Sequence, residues 1–203
     1  GIPFSATFDT EETTPIVITE SDNNTNKWFI GTAANNTTGV ENGGALYVSA
    51  DNGTTAGYNN QTYTDAYASI LLSFEEGAEF DISFDYKAGG ENYLYDFLKA
   101  YLVPFGEDIN ETEHALIAEK YNTNGWLTQT TTKPALRGIY SLVFYWYNDG
   151  SSGNPPAAII DNISVTSRPC TGGIPVAITF AENEEGNNIV VDFDDQFNSS
   201  PSY

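Results

Sequence analysis

The chain has 203 residues, 28 Asp and Glu against 7 Lys and Arg, and a net charge of −21. A surface so negative repels phosphate backbones and anionic headgroups, which excludes broad binding to nucleic acid and to an acidic membrane face. The basic residues Lys27, Lys87, Lys99, Lys120, Lys133, Arg137 and Arg168 are too dispersed to make a basic patch. With 40% hydrophobic, 14% aromatic and only 17% charged residues, the chain can build a core and has the composition of an extracellular all-β protein. The longest mostly apolar stretch, Ile139 to Tyr147, is strand-sized, so no membrane insertion is expected. Met is absent and the chain opens Gly-Ile-Pro-Phe, so we read it as a piece of something longer. The single cysteine, Cys170, leaves no internal disulfide framework and no Cys-based zinc site.

The patterning is period two almost throughout. In chain order, Ala45–Ser49, Tyr67–Phe74, Glu79–Tyr86, Phe97–Val103, Tyr140–Tyr147 and Ala158–Val165 are β-branched and aromatic runs that predict strands. In the third, Phe80, Ile82, Phe84 and Tyr86 share one face and Asp81, Ser83 and Asp85 the other, as a sheet with one buried face requires. Turn-forming clusters separate the runs: Asn42–Gly44, Asp51–Gly53, Gly89–Asn92, Asn122–Gly125 and Asn148–Asn154. Asn110–Tyr121 has a helical flavour, with acids around Ala115, Leu116 and Ile117, and reads equally as a strand edge. A two-sheet antiparallel sandwich fits this pattern.

Ser167–Gly173 reads as a linker, which places a boundary near 170 and divides the chain into 1–168 and a 169–203 extension. Within the extension, Pro175–Phe180 and Asn188–Phe193 are strand-like about a turn at Glu182–Asn187. So few residues cannot bury a core alone. The extension is the first hairpin of a following domain, a strand pair added to the sandwich, or an arm that pairs with a neighbouring molecule.

The catalytic inventory is thin. His114 is the one histidine, in a charged segment, and no nucleophile elbow, phosphate loop or dinucleotide fingerprint occurs. An acidic, Asn-rich sandwich with long loops can hold a hard cation, because calcium takes carboxylate, amide and backbone oxygens. If the first and last strands lie side by side, Phe8–Glu12, Ser49–Gly53 and Ile160–Ile163 converge and offer Asp9, Glu11, Asp51 and Asp161 as ligands. Asp161 is the sharpest of these, because it interrupts an otherwise apolar strand with no Lys or Arg nearby in sequence. For a sugar or other ligand, Trp126 with Tyr145, Tyr147 and Asp149 offers aromatic and hydrogen-bonding groups, while Phe144 and Trp146 belong in the core by alternation. Tyr58, Tyr63 and Tyr67 form an alternative exposed cluster.

Taken in order, Phe8-Asp9, Trp28, Gly44–Ser49, Phe84–Tyr86, Tyr95–Val103, Gly125-Trp126, Gly138–Trp146 and Ala158–Val165 resemble the cleaved-adhesin or choice-of-anchor J type of domain. That type is related to MAM domains and occurs in secreted and surface proteins of Bacteroidetes-type bacteria. The resemblance spans roughly residues 4 to 166. It implies a jelly-roll β sandwich, structural calcium near the first and last strands with Asp161-Asn162 matching the closing acidic pair, and recognition rather than catalysis. We therefore expect a non-catalytic, calcium-stabilised adhesion domain of a secreted or cell-surface protein. Its expected partners are a host or cell-surface glycan or protein, and neighbouring domains or a neighbouring subunit. Two other readings stand beside it: a carbohydrate-binding accessory module of a secreted hydrolase, and a structural or filament subunit using its C-terminal tail for strand addition.

Overall fold

A pleated strand buries one face when every second side chain is apolar, and this chain does so repeatedly. A computed structural model describes residues 2–9, 16–19, 25–32, 43–75, 78–134, 136–169, 179–182 and 189–192. The strands are β1 (Phe4–Ala6), β2 (Ile16–Thr19), β3 (Lys27–Gly31), β4 (Ala45–Ser49), β5 (Thr64–Phe74), β6 (Ala78–Gly90) and β7 (Asp96–Pro104). They continue with β8 (Ala115–Lys120), β9 (Leu127–Pro134), β10 (Gly138–Asn148), β11 (Asn154–Pro169), β12 (Thr179–Glu182) and β13 (Ile189–Asp192). No helix occurs among the described residues. The ambiguous Asn110–Tyr121 segment is a turn followed by β8, whose Leu116 and Ile117 are buried against the sandwich.

The chain forms two compact units, Gly1–Arg168 and Pro169–Tyr203. The first is an all-β jelly roll of two antiparallel sheets. One runs β3-β4-β11-β6-β9, with β1 also paired to β11, and the other runs β2-β5-β10-β7-β8. In the second unit β12 pairs antiparallel with β13, Phe180 opposite Val191. Of the predicted turn at Glu182–Asn187, Glu182 ends β12, and residues 183–187, like Cys170, lie outside the described residues.

Both sheets turn their apolar parity inward. Phe80, Ile82, Phe84 and Tyr86 of β6 meet Ala66, Ala68, Ile70 and Leu72 of β5 and Leu142, Phe144 and Trp146 of β10 in one core, so the predicted inward faces are the observed ones. Edge-to-face contacts such as Phe84–Phe144, with centroids 5.1 Å apart, join the two sheets. Strand β9 escapes pattern reading for a physical reason. It pairs with β6 at the sheet edge, Thr132 opposite Asp81 and Thr128 opposite Asp85, so it buries too little to need alternating apolar residues.

Strand β11 breaks its regular pleat at one point. Ile160 and Ile163 both point into the core although they are three positions apart, and Asn162 sits at φ 49°. An extra residue at Asp161–Asn162 therefore bulges the strand. The bulge lies between two partners of β11, since β4 pairs at Ile159 and Ile160 while β1 pairs from Ile163 onward. At this junction Asp9 Oδ1 accepts the Gly44 N–H at 3.1 Å. A Cβ on residue 44 would overlap the Phe8 carbonyl oxygen, so glycine is required there.

Candidate functional site

Parity sends one set of side chains of the five-stranded sheet outward, and that set is aromatic. On β10 Tyr145 stands opposite Tyr67 of β5 and Lys99 of β7, while Tyr147 stands opposite Asp65 and Phe97. Tyr67 and Tyr145 stack at 4.5 Å and 8°, and Phe97 and Tyr147 at 5.1 Å and 19°. Tyr63, in the loop before β5, meets Tyr147 edge-on at 5.7 Å. Five rings thus cover three adjacent strands. Tyr101, Val103 and Val143 pack together on the same outer face beyond them.

Polar groups punctuate these rings. Asp65 accepts from the hydroxyls of Tyr63 and Tyr67, each at 3.3 Å. Burial, then the Asp65 carboxylate, pushes the Tyr67 phenol up to about 12. Burial likewise raises Tyr63, Tyr145 and Tyr147, with acids contributing to each. Lys99, only 7% exposed, lies with its Nζ 5.0 Å from the Phe97 ring centroid. It is held by Glu111 at 3.0 Å and Glu119 at 3.2 Å. Burial alone would lower the lysine pKa, but the bonds to Glu111 and Glu119 outweigh it and the net shift is upward.

A network of buried amides fixes the loop that carries Tyr63. Asn26 Nδ2 donates to Thr64 Oγ1 at 2.6 Å and to the Asn59 carbonyl at 3.0 Å, and Asn148 Nδ2 donates to the same carbonyl at 3.1 Å. Tyr58 Oη donates to the fully buried Asp96 at 2.6 Å while its ring packs edge-on against Trp146. The opposite outer face is different. There Thr128, Thr132, Asn162 and Arg168 are bonded to Asp85 and Asp81, and Ser83 to Thr130, a row of polar groups satisfied by one another.

The β11 bulge presents the second feature. Asp161 is 2% exposed, and its Oδ1 accepts the Asn162 N–H at 2.7 Å. Burial, then the neighbouring charges of Asp9 and Asp85, pushes its carboxyl up to about 6. Among the described residues no three Asp, Glu, His or Cys side chains gather closely enough to hold a metal, and Glu11 lies outside those residues.

No family model and no curated protein sequence matches the chain. Solved structures match its fold. The K1 cleaved-adhesin domain of Lys-gingipain from Porphyromonas gingivalis W83 superposes with a TM-score of 0.54 at 16% identity, over 83% of this chain and 99% of that one. The K3 cleaved-adhesin domain of the same protein gives 0.51 at 15% identity, over 81% and 98%. TmCBM61, solved with β-1,4-galactotriose, gives 0.51 at 12% identity, over 80% and 94%. The chain has the jelly-roll fold that cleaved-adhesin and carbohydrate-binding domains share.

Within this jelly roll, the residues singled out from sequence separate. Tyr145 and Tyr147 lie together on the outer face, and Tyr63 and Tyr67 of the alternative cluster join them. Tyr58 does not, because its ring packs against the core. Trp126 is a correction: it packs on Ala45, Tyr47, Ala56 and Ile159, outside the other sheet, and so cannot share a site with Tyr145. Asp149 follows β10 and accepts from the backbone and hydroxyl of Ser151, both at 2.9 Å, in a local turn. Ser49 Oγ, Thr55 N and Thr55 Oγ1 bond the Asp51 carboxylate at 2.7, 2.8 and 2.7 Å and hold its pKa down at about 2, so it closes its own turn. Sequence reading missed Asp65, Phe97 and Lys99 as members of the face. The signal was available in the alternation Asp65, Tyr67 and Phe97, Lys99, Tyr101, but it becomes a surface only once β5, β10 and β7 are known to be neighbours.

Proposed function

We propose that the chain is a non-catalytic recognition module of a secreted or cell-surface protein, and that it binds glycans on the tyrosine face of its five-stranded sheet. The observation that carries this is the aromatic surface itself: Tyr67, Tyr145 and Tyr147, half-buried and held by ring contacts with one another and with Phe97, with hydroxyls and the Asp65 carboxylate between them. Sugar rings offer an apolar C–H face to aromatic rings and hydroxyls to acceptors, so a rigid floor of this kind loses little side-chain entropy on binding. The galactotriose bound to TmCBM61 and the adhesin origin of the two Lys-gingipain domains support the same class of function. Binding to a panel of immobilised polysaccharides tests it. Tyr145→Ala should reduce retention of any bound glycan by roughly 30-fold, about 2 kcal/mol for truncating a central ring, with the thermal midpoint monitored separately. Unchanged retention in a folded variant would remove this face from the function.

Calcium is the second element of the proposal. The donors at the bulge are all oxygens, the set a hard cation prefers, and a buried carboxylate pushed upward by two others is a place where added positive charge stabilises the fold. Asp161 and Asp9 would hold the ion with backbone carbonyls, and Glu11 is the remaining candidate. The ion would supply charge neutralisation and would tie the first strand to the last. Excess calcium should raise the thermal midpoint relative to EDTA, and Asp9→Ala should diminish that rise.

A further inference from the structure

We propose that the tyrosine face takes an amino glycan, a chain of sugars bearing protonated primary amines, with Asp65 receiving the ammonium and the rings of Tyr67, Tyr145 and Tyr147 receiving the sugar. This rests on the glycan-binding reading and narrows it to a substrate class.

Asp65 stands in the middle of the floor. It shares strand β5 with Tyr67, lies opposite Tyr147, and is approached by Tyr63 from the loop. Among the described residues its hydrogen-bond partners are the phenols of Tyr63, Tyr67 and Tyr145, which are neutral, and those from Tyr63 and Tyr67 are long at 3.3 Å. A carboxylate offers about four acceptor positions, so an incoming N⁺–H group finds both a negative charge and room on it. The rings beside it add attraction for a cation through their negative faces. The protein uses the same chemistry one step along the sheet. There Lys99 places its own ammonium over the Phe97 ring and between Glu111 and Glu119. Lys99 is thereby neutralised twice over, and the face keeps the sign of Asp65 and of Asp149 at its end. The raised phenols of Tyr63, Tyr67, Tyr145 and Tyr147 report the same local negative potential, each shifted upward by burial and then by these acids. Uronic-acid polymers carry the wrong charge for such a surface, and a net charge of −21 extends the field that draws in a cationic chain. The rings of Tyr63, Tyr67, Tyr145, Tyr147 and Phe97 extend over three strands, an aromatic surface long enough for several sugar units of a chain.

The test is calorimetric titration of the full chain at about pH 5.5, where primary amines are charged. The probes are a glucosamine hexasaccharide, its N-acetylated counterpart, a neutral cello-hexasaccharide and an oligolysine of equal charge. The amino sugar should bind at least about tenfold more tightly than the acetylated or neutral one, the span of one charged hydrogen bond. Asp65→Asn should bring it down to their level, and Tyr145→Ala should weaken binding of all three by roughly 30-fold. Equal binding of neutral and amino sugars, unmoved by Asp65→Asn, overturns the amine assignment and leaves the glycan reading intact. Amino-sugar binding that survives both substitutions and is matched by oligolysine is polyelectrolyte attraction and also overturns it. No sugar binding at all overturns both readings. Thermal midpoints of the two variants identify a result caused by misfolding.

Discussion

Trp146→Ala lowers the stability of the jelly roll by about 3–5 kcal/mol, the range for removing a large aromatic ring from a packed core. For a domain of this size the loss is roughly a 10 °C fall in the thermal midpoint. Trp146 is 0% exposed, lies on β10 between the flanking strands β5 and β7, and packs edge-on with Tyr58 at 5.2 Å. Its collapse would also loosen the loop that carries Tyr63, because Tyr58 ties that loop to Asp96. A finer comparison separates packing from hydrogen bonding. Among the described residues the buried Trp146 indole N–H has no acceptor, whereas Trp28 donates its indole N–H to the Ala66 carbonyl at 3.1 Å. Trp146→Phe therefore relieves an unsatisfied donor while it loses volume, and Trp28→Phe loses volume and a hydrogen bond together. Trp28→Phe should be the more destabilising of the two by about 1 kcal/mol. Urea unfolding followed by circular dichroism measures both, and the reverse order would mean that Trp146 is anchored by its nitrogen after all.

Asp161 contributes a pH-dependent part of the stability, separable from that of buried Asp96 by substitution. The Asp161 carboxyl is pushed up to about 6 in the folded chain, by burial first and then by Asp9 and Asp85, from an ordinary 3.8. Between those two values the folded chain holds a proton that the unfolded chain has released. Stability therefore falls as pH rises from about 4 to 6 and stays low above that window. The separation of the two values corresponds to about 3 kcal/mol. In EDTA, Asp161→Asn should be more stable than the wild-type chain at neutral pH by up to that amount and nearly equal to it near pH 4, since the amide oxygen can still accept the Asn162 N–H. Under the calcium proposal the order should reverse when calcium is added, since the variant lacks the carboxylate proposed to hold the ion. Thermal midpoints of the two proteins across this pH range, with and without calcium, check both halves. A difference curve that is flat in EDTA would show Asp161 to be an ordinary acid, and a calcium gain that persists in the variant would remove it from the cation site.

The alternation of apolar residues determined much of this protein from sequence alone. Phe80, Ile82, Phe84 and Tyr86 could only make a one-sided strand, and Phe144 and Trp146 had to face the core if Tyr145 and Tyr147 did not, because a pleat sends neighbours to opposite faces. The order of such runs was enough to suggest a two-sheet antiparallel sandwich, and the jelly roll was implied by the resemblance to cleaved-adhesin domains. Edge strands such as β9 were illegible, since an edge buries too little to leave an apolar signature. The burial of Asp161 was partly legible, as a charge interrupting an apolar run, but the bulge at Asn162 beside it was not. What only the tertiary structure decided is adjacency. Trp126 and Tyr145 looked like neighbours as aromatic residues near turns, yet β9 belongs to one sheet and β10 to the other, which puts them on opposite sides of the sandwich. Conversely Tyr67, Phe97 and Tyr145 are far apart in sequence and stack because β5, β10 and β7 pair side by side. Periodicity fixes which way a side chain points, because that depends on the local backbone. Which strand lies alongside depends on closing long loops around a shared core, and no local pattern encodes that.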